Sequence, residues 1–339
     1  MGALRRLTIG LVTLCMALSL VGCAAPKLTL DPEELYALPE LPERYTALNQ
    51  QLSAIQEGGA EYATPVSGSN IQPVQMMDLD GDGREEALAF FRQSDGEKPL
   101  KIYIFAADGD SYRQVAVIEG SGLAIYSVAY SDMNGDGKME IIVGWRVSME
   151  LQALTVYTLE KDGIRELARS DYVKYAVADL DGDGQRELTV LRADETGAGT
   201  ADCYLWKNGI LTLGSSIRVS MTMAELSQQG RITVGVLRSS TPALFVTGVA
   251  DSTRAITDVL VLRGGELTNL VLSAMTGVSG ESSRFCTLYP TDINGDGVTE
   301  VPRTVPLSGD EESTASQRID WISYDASGLA AKALSTYHA

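Results

Sequence analysis

"DLDGDGREEALAFF", residues 78–91, sets aspartate at the alternate positions Asp78, Asp80 and Asp82, follows with Gly83 and Glu86, and runs straight into apolar residues. So much like charge within nine residues opposes any compact loop unless a cation sits among the carboxylates, and hard oxygen ligands favour calcium or magnesium. The pattern returns as "DMNGDGKME" from Asp132, "DLDGDGQRE" from Asp179 and "DINGDGVTE" from Asp292. Each copy has Asp or Asn third, Asp fifth, Gly sixth and Glu ninth. One Asp/Gly-rich turn needs no ion; four copies, each with its ninth-residue Glu, point to a metal loop.

A twelve-residue EF-hand loop requires an acid at its last position and helices on both sides. Counting twelve from each first Asp lands on Ala89, Val143, Val190 and Arg303, none of which offers a carboxylate. The residues that follow, "ALAFF", "IIVGW" and "LTVLR", are strand formers. The EF-hand and the dockerin-type repeat, which shares its spacing, are both excluded.

From about Gln72 the chain reads as short runs of Val, Ile, Tyr, Phe and Thr broken by turns every eight to twelve residues, an all-β pattern. Segments 101–120, 154–170 and 259–273 each hold two apolar runs around "DGD", "KDG" or "RGG", as hairpins do. The first Asp of successive loops falls at 78, 132, 179 and 292, in steps of 54, 47 and 113. The last step is about two periods. Midway through it "VGVLRSSTPALFV" (234–246) aligns with 75–91 if the acidic loop has shrunk to Arg238–Pro242, giving a unit without a metal. A period near fifty with about four strands per unit predicts a β-propeller of four-stranded blades, since one such sheet has two faces that its neighbours must cover. About five units can be counted, and the blade number stays open.

These residues resemble the FG-GAP and VCBS-type repeats of integrin-α-like β-propellers, whose blades carry a nine-residue calcium loop between strands. The resemblance covers about residues 72–325. It implies up to four Ca²⁺ ions, held by Asp78, Asp80, Asp82 and Glu86; by Asp132, Asn134, Asp136 and Glu140; by Asp179, Asp181, Asp183 and Glu187; and by Asp292, Asn294, Asp296 and Glu300. At the seventh position, Arg84, Lys138, Gln185 and Val298, it implies a backbone carbonyl ligand that any side chain accommodates. The phenylalanine-glycine and glycine-alanine-proline signatures of the family are absent, and integrin-like propellers have seven blades. Asn134 and Asn294 replace a carboxylate, so their loops are expected to bind more weakly than those at Asp78 and Asp179. The expected role of calcium is structural, because protein fills every side-chain ligand position.

The chain opens "MGALRRLTIGLVTLCMALSLVGC", with Arg5 and Arg6 ahead of an apolar run, the layout of a secretory signal. Leu20-Val21-Gly22-Cys23 resembles the bacterial lipobox, which implies a signal over residues 1–22, lipid on Cys23 and a place on the extracytoplasmic face of a bacterial membrane. The alternative is an ordinary cleaved signal with an incidental cysteine. Residues 23–62 are then a proline- and acid-rich tether and a short helix from Pro42 to about Glu57, with Leu48, Leu52 and Ile55 on one face and Gly58-Gly59 closing it. Residues 63–339 are the propeller. The chain ends "LSTYHA" without a closing turn, so a further strand, blade or domain remains open.

Removing residues 1–22 leaves 25 basic residues against 45 acidic, a formal charge of −20, which argues against a nucleic-acid partner. Fifteen of those acids lie in the four loops, so much of the acidity is site chemistry. The only histidine is His338, which leaves no material for a zinc site or a Ser/His/Asp triad. Cys203 and Cys286 are two separately buried thiols or a pair. The functional expectation is a lipid-anchored, non-enzymatic calcium-binding module for adhesion to a surface protein or glycan; the alternative is a calcium-dependent polysaccharide lyase or hydrolase on the same scaffold.

Overall fold

The computed structural model describes residues 45–94, 96–109, 111–227, 229–249, 254–272, 281–283, 288–305 and 317–338. Pro42 and Cys23 lie outside them. Ala47–Ala339 form one compact unit.

A helix spans Thr46–Glu57 and buries Leu48 and Leu52, which fall on one face at a spacing of four. It stops where the sequence predicts: the Gly58 amide donates to Ala54 O at 3.1 Å and the Gly59 amide to Gln56 O at 2.9 Å. Gly59 has φ +90°, which favours glycine at a helix end.

Five antiparallel sheets follow in chain order among the described residues. The first contains β1 (Ala60–Tyr62), β2 (Val74–Met77), β3 (Glu86–Gln93), β4 (Leu100–Asp108) and β5 (Ser111–Gly120). The second is β6 (Ala124–Ser131), β7 (Glu140–Arg146), β8 (Gln152–Glu160) and β9 (Gly163–Asp171). The third is β10 (Lys174–Ala178), β11 (Glu187–Ala193), β12 (Gly199–Lys207) and β13 (Ile210–Arg218). The fourth is β14 (Arg231–Val236), β15 (Pro242–Val249), β16 (Arg254–Arg263) and β17 (Glu266–Asn269), with β18 (Glu281–Ser283) also on β16. The fifth is β19 (Val301–Val305), β20 (Gln317–Tyr324) and β21 (Ala330–His338), preceded by a single bridge between Thr291 and Glu300.

The second strands explain why the sequence reads there as unbroken apolar runs. On β7, Ile141, Val143 and Trp145 pack with Phe90, Ile102 and Ile104 of the first sheet, while Ile142 packs with Leu188 and Val190 of the third. On β15, Leu244 and Val246 face Leu191 and Cys203 of the third sheet, while Ala243 and Phe245 face Val301 of the fifth. Alternate residues thus enter different interfaces, and both faces of an inner sheet are buried. This is the β-propeller arrangement that the period predicts.

The metal-free unit has the expected form, since Leu237–Thr241 closes β14 onto β15 with Val236 opposite Pro242. The three hairpins also form. One segment differs from expectation: Ala60–Tyr62, read as part of the stretch before the domain, is a strand of the first sheet, paired with the far end of β3. Tyr62 stacks on Phe91 with ring centroids 4.5 Å apart, and that contact draws the segment onto the sheet.

Trp145, Trp321 and Tyr157 are buried, as blade packing requires. Between β13 and β14, Met221 and Leu226 of "VSMTMAEL" (219–226) are buried in the interface of the third and fourth sheets. Cys203 is a free, buried thiol whose pKa burial pushes up to about 12; Cys286 lies outside the described residues.

Candidate metal loops

The acidic loops join β2 to β3, β6 to β7, β10 to β11 and the Thr291 bridge to β19, in each case the first and second strands of the repeating unit, and all four are built alike. The first Asp is a staple: Asp78 accepts the amides of Gly81 at 2.8 Å and Gly83 at 2.9 Å through its two oxygens. Asp132 does the same with Gly135 and Gly137, Asp179 with Gly182 and Gly184, and Asp292 with Gly295 and Gly297. The side chain of the third residue, Asp80, Asn134, Asp181 or Asn294, accepts the amide of the fifth, Asp82, Asp136, Asp183 or Asp296. The fifth accepts the seventh's, with Arg84, Lys138, Gln185 and Val298 donating to Asp82, Asp136, Asp183 and Asp296. The backbone therefore curls around the carboxylates.

The ninth-residue Glu begins the second strand and points back into the loop. One oxygen of Glu86, Glu140, Glu187 and Glu300 accepts the amide of the loop's second residue, Leu79, Met133, Leu180 or Ile293, at 2.8, 2.9, 2.7 and 3.2 Å. All four glutamates are nearly fully buried. Burial, seconded by the neighbouring aspartates, raises their pKa values, that of Glu187 to about 7, against the lowering effect of the amide.

Candidate ligand oxygens of Asp78, Asp80 and Glu86 lie within 4.8 Å of one another, and so do those of Asp179, Asp181 and Glu187. These are the two loops with a carboxylate at the third position. Asp82 is turned toward Arg84, whose guanidinium lies 2.7 Å from it and lowers its pKa. In the second and fourth loops the amide of Asn134 or Asn294 donates to Asp136 or Asp296 at 3.2 and 2.9 Å. In the fourth, Glu300 Oε1 is buried and has no hydrogen-bond partner. A buried carboxylate oxygen left unpaired beside other acids fits a hard cation, the ligand the donor set suits.

Gly81 and Gly83 hold φ of +73° and +84°. A Cβ on Gly81 would lie 2.8 Å from the carbonyl oxygen of Gly137 in the next loop, whereas one on Gly83 meets nothing within 4 Å. Gly83→Ala is expected to cost about 1–2 kcal/mol, the left-handed penalty alone. Gly81→Ala is expected to cost at least about 1 kcal/mol more, as read by urea denaturation of both variants.

Four loops of one design, on the first, second, third and fifth sheets, invite comparison with known repeats. Residues 78–143, from the first loop through the second, match the family described as FG-GAP-like repeat. This stretch is similar to an FG-GAP-like repeat. The chain also resembles solved structures: the Bacillus licheniformis rhamnogalacturonan lyase PL11, at 12% identity and a TM-score of 0.39, over 78% of this chain and 66% of the lyase. A Lactobacillus plantarum protein matches at 13% identity and a TM-score of 0.35, over 80% of this chain and 72% of the other. The chain thus spans about two thirds of the lyase's length, and likenesses of this size carry no argument about activity. No curated protein matches.

Sequence reasoning missed what the loops do to one another. The second residue is apolar in every acidic loop of the chain, and Leu79, Met133 and Leu180 are buried. That regularity is a signal, since it marks the residue whose backbone the ninth-residue Glu holds. Sequence reasoning also missed an open cleft of about 690 Å³ beside β14 and residues 288–293, lined by Arg231, Val234, Tyr289, Asp292, Trp321 and Tyr337 among others. The Arg231 guanidinium lies 5.3 Å from the centre of the Tyr289 ring.

Proposed function

We propose that the chain is an extracytoplasmic, lipid-anchored calcium-binding propeller that presents a rigid surface to a protein or glycan partner and performs no chemistry on it. The observation that carries the calcium reading is the convergence of candidate oxygens of Asp78, Asp80 and Glu86, and of Asp179, Asp181 and Glu187, to within 4.8 Å, seconded by Glu300 Oε1, which is buried without a partner near Asp292 and Asp296. Side chains of the first, third, fifth and ninth residues and the carbonyl of the seventh would hold each ion. Bound calcium supplies the positive charge that lets three or four like charges share one turn. The ninth-residue Glu then ties that turn to the second strand, so metal binding adds to folding free energy.

Support for a binding role comes from the cleft, whose volume lies within the usual range for ligand sites and whose walls mix aromatic rings, threonines and one guanidinium. Asp292 and Ile293 of the fourth loop form part of its wall, so calcium there would brace it. A single histidine in the chain, and acids committed to the loops, favour binding over catalysis. The anchor at Cys23 rests on the lipobox alone.

A glycan array and a pull-down from the native surface, set beside turnover on a polysaccharide panel, test this reading. Retention of a defined ligand with no product is expected. Calcium-dependent release of unsaturated or reducing sugars would overturn the non-enzymatic role.

A further inference from the structure

The loops beginning at Asp78, Asp132 and Asp179 are joined to one another by backbone. The amide of the eighth residue of one loop donates to the carbonyl of the second residue of the loop before it: Met139 to Leu79 O at 3.0 Å, and Arg186 to Met133 O at 2.7 Å. That second residue is the one whose own amide is held by its loop's Glu, Leu79 by Glu86 and Met133 by Glu140. The loops also touch directly, with Gly81 against the Gly137 carbonyl and Gly135 facing that of Gly184. Three loops therefore stack in register.

The donor amide has a special place. Met139 N–H and Lys138 C=O belong to one planar peptide unit, as do Arg186 N–H and Gln185 C=O. On the calcium reading the seventh-residue carbonyl would be the backbone ligand of the loop, so an ion drawing on Lys138 C=O would polarise the peptide and make Met139 N–H a stronger donor to Leu79. Leu79, fixed at its amide and its carbonyl, in turn fixes Glu86 for an ion in the first loop. The path runs both ways, as linkage demands. The fourth metal loop has the same donor, but Thr299 N–H meets Val236 O at 2.9 Å. Its neighbour is the loop Leu237–Thr241, which has no carboxylate.

We infer that the three loops from Asp78, Asp132 and Asp179 bind calcium as one cooperative array, and that the loop from Asp292 binds as an independent site. The inference rests on the calcium reading above and goes beyond it, since four loops on a common scaffold need not communicate.

Calorimetric titration of the full chain with CaCl₂ tests it, with hydrogen exchange at Met139, Arg186 and Thr299 assigning the steps. Three sites are expected to fill together, each filled loop raising the affinity of the next about 5-fold or more, the low end of measured couplings. Protection of Met139 and Arg186 should rise in the same step and that of Thr299 separately. Asp132→Asn should weaken the loops at Asp78 and Asp179 by a similar factor, although it touches neither. Asp292→Asn should delete one site and leave the steepness of the rest unchanged. Independent filling in the native chain overturns the inference while the calcium reading stands, a result available even if Asp132→Asn fails to fold. Unaltered affinity of the outer loops in Asp132→Asn does the same. Absence of any calcium binding overturns both.

Discussion

In excess EGTA the full chain is expected to melt about 8–36 °C below its value in 5 mM CaCl₂. Extracellular calcium modules bind at about 10⁻⁴ to 10⁻³ M. At 5 mM ligand each such site adds about 1–2 kcal/mol through mass action, and four add about 4–9 kcal/mol. In a domain of this size each kcal/mol moves the midpoint by about 2–4 °C. Differential scanning calorimetry with calcium restored after chelation reads the shift. A midpoint indifferent to EGTA would remove the structural role for metal.

The second large effect is a reversal of pH dependence. In the metal-free chain Glu187 has its pKa raised by burial from an ordinary 4.5 to about 7, and Glu86, Glu140 and Glu300 are raised for the same cause. A carboxyl with a folded pKa above its unfolded value favours folding while it is protonated. That contribution is complete below about 4.5 and is lost as pH rises through about 7. Chelated protein should therefore be more stable at pH 5 than at pH 8, by about 2–3 kcal/mol from Glu187 alone. Calcium needs the ionised form and should invert the order. Glu187→Gln separates the two terms: it keeps an acceptor for the Leu180 amide but carries no charge. In EGTA at pH 8 it should be at least as stable as the native chain, and in calcium less stable by about 1–2 kcal/mol. Equal destabilisation with and without calcium would show that Glu187 serves packing alone.

Most of the fold could be read from residues 78–91 and their three repeats. Spacing located the loops, the strands beside them and even the unit from which the acids have gone, because Asp and Gly at fixed positions and short apolar runs between turns leave direct marks. Ala60–Tyr62 left none, being three residues whose pairing depends on Tyr62 finding Phe91. The turning of Asp82 toward Arg84 was equally hidden, since position seven was read for its carbonyl and its side chain was free to vary. The links from Met139 to Leu79 and from Arg186 to Met133 are backbone to backbone, and an amide leaves no trace in residue type. Only the run of apolar second residues hinted at them.

Where the fourth sheet meets the fifth, the shrunken loop has its own cation. The Arg238 amide donates to Tyr324 O at 3.0 Å, its guanidinium to Leu329 O at 2.6 Å, and Asp325 lies 3.9 Å from it. A side-chain charge cannot be washed out by a chelator. Calcium starvation should therefore loosen the molecule unevenly, fraying it most at the acidic loops while the Arg238 contacts hold their own corner of the seam, and the stripped protein would keep a folded remnant from which refilling could start.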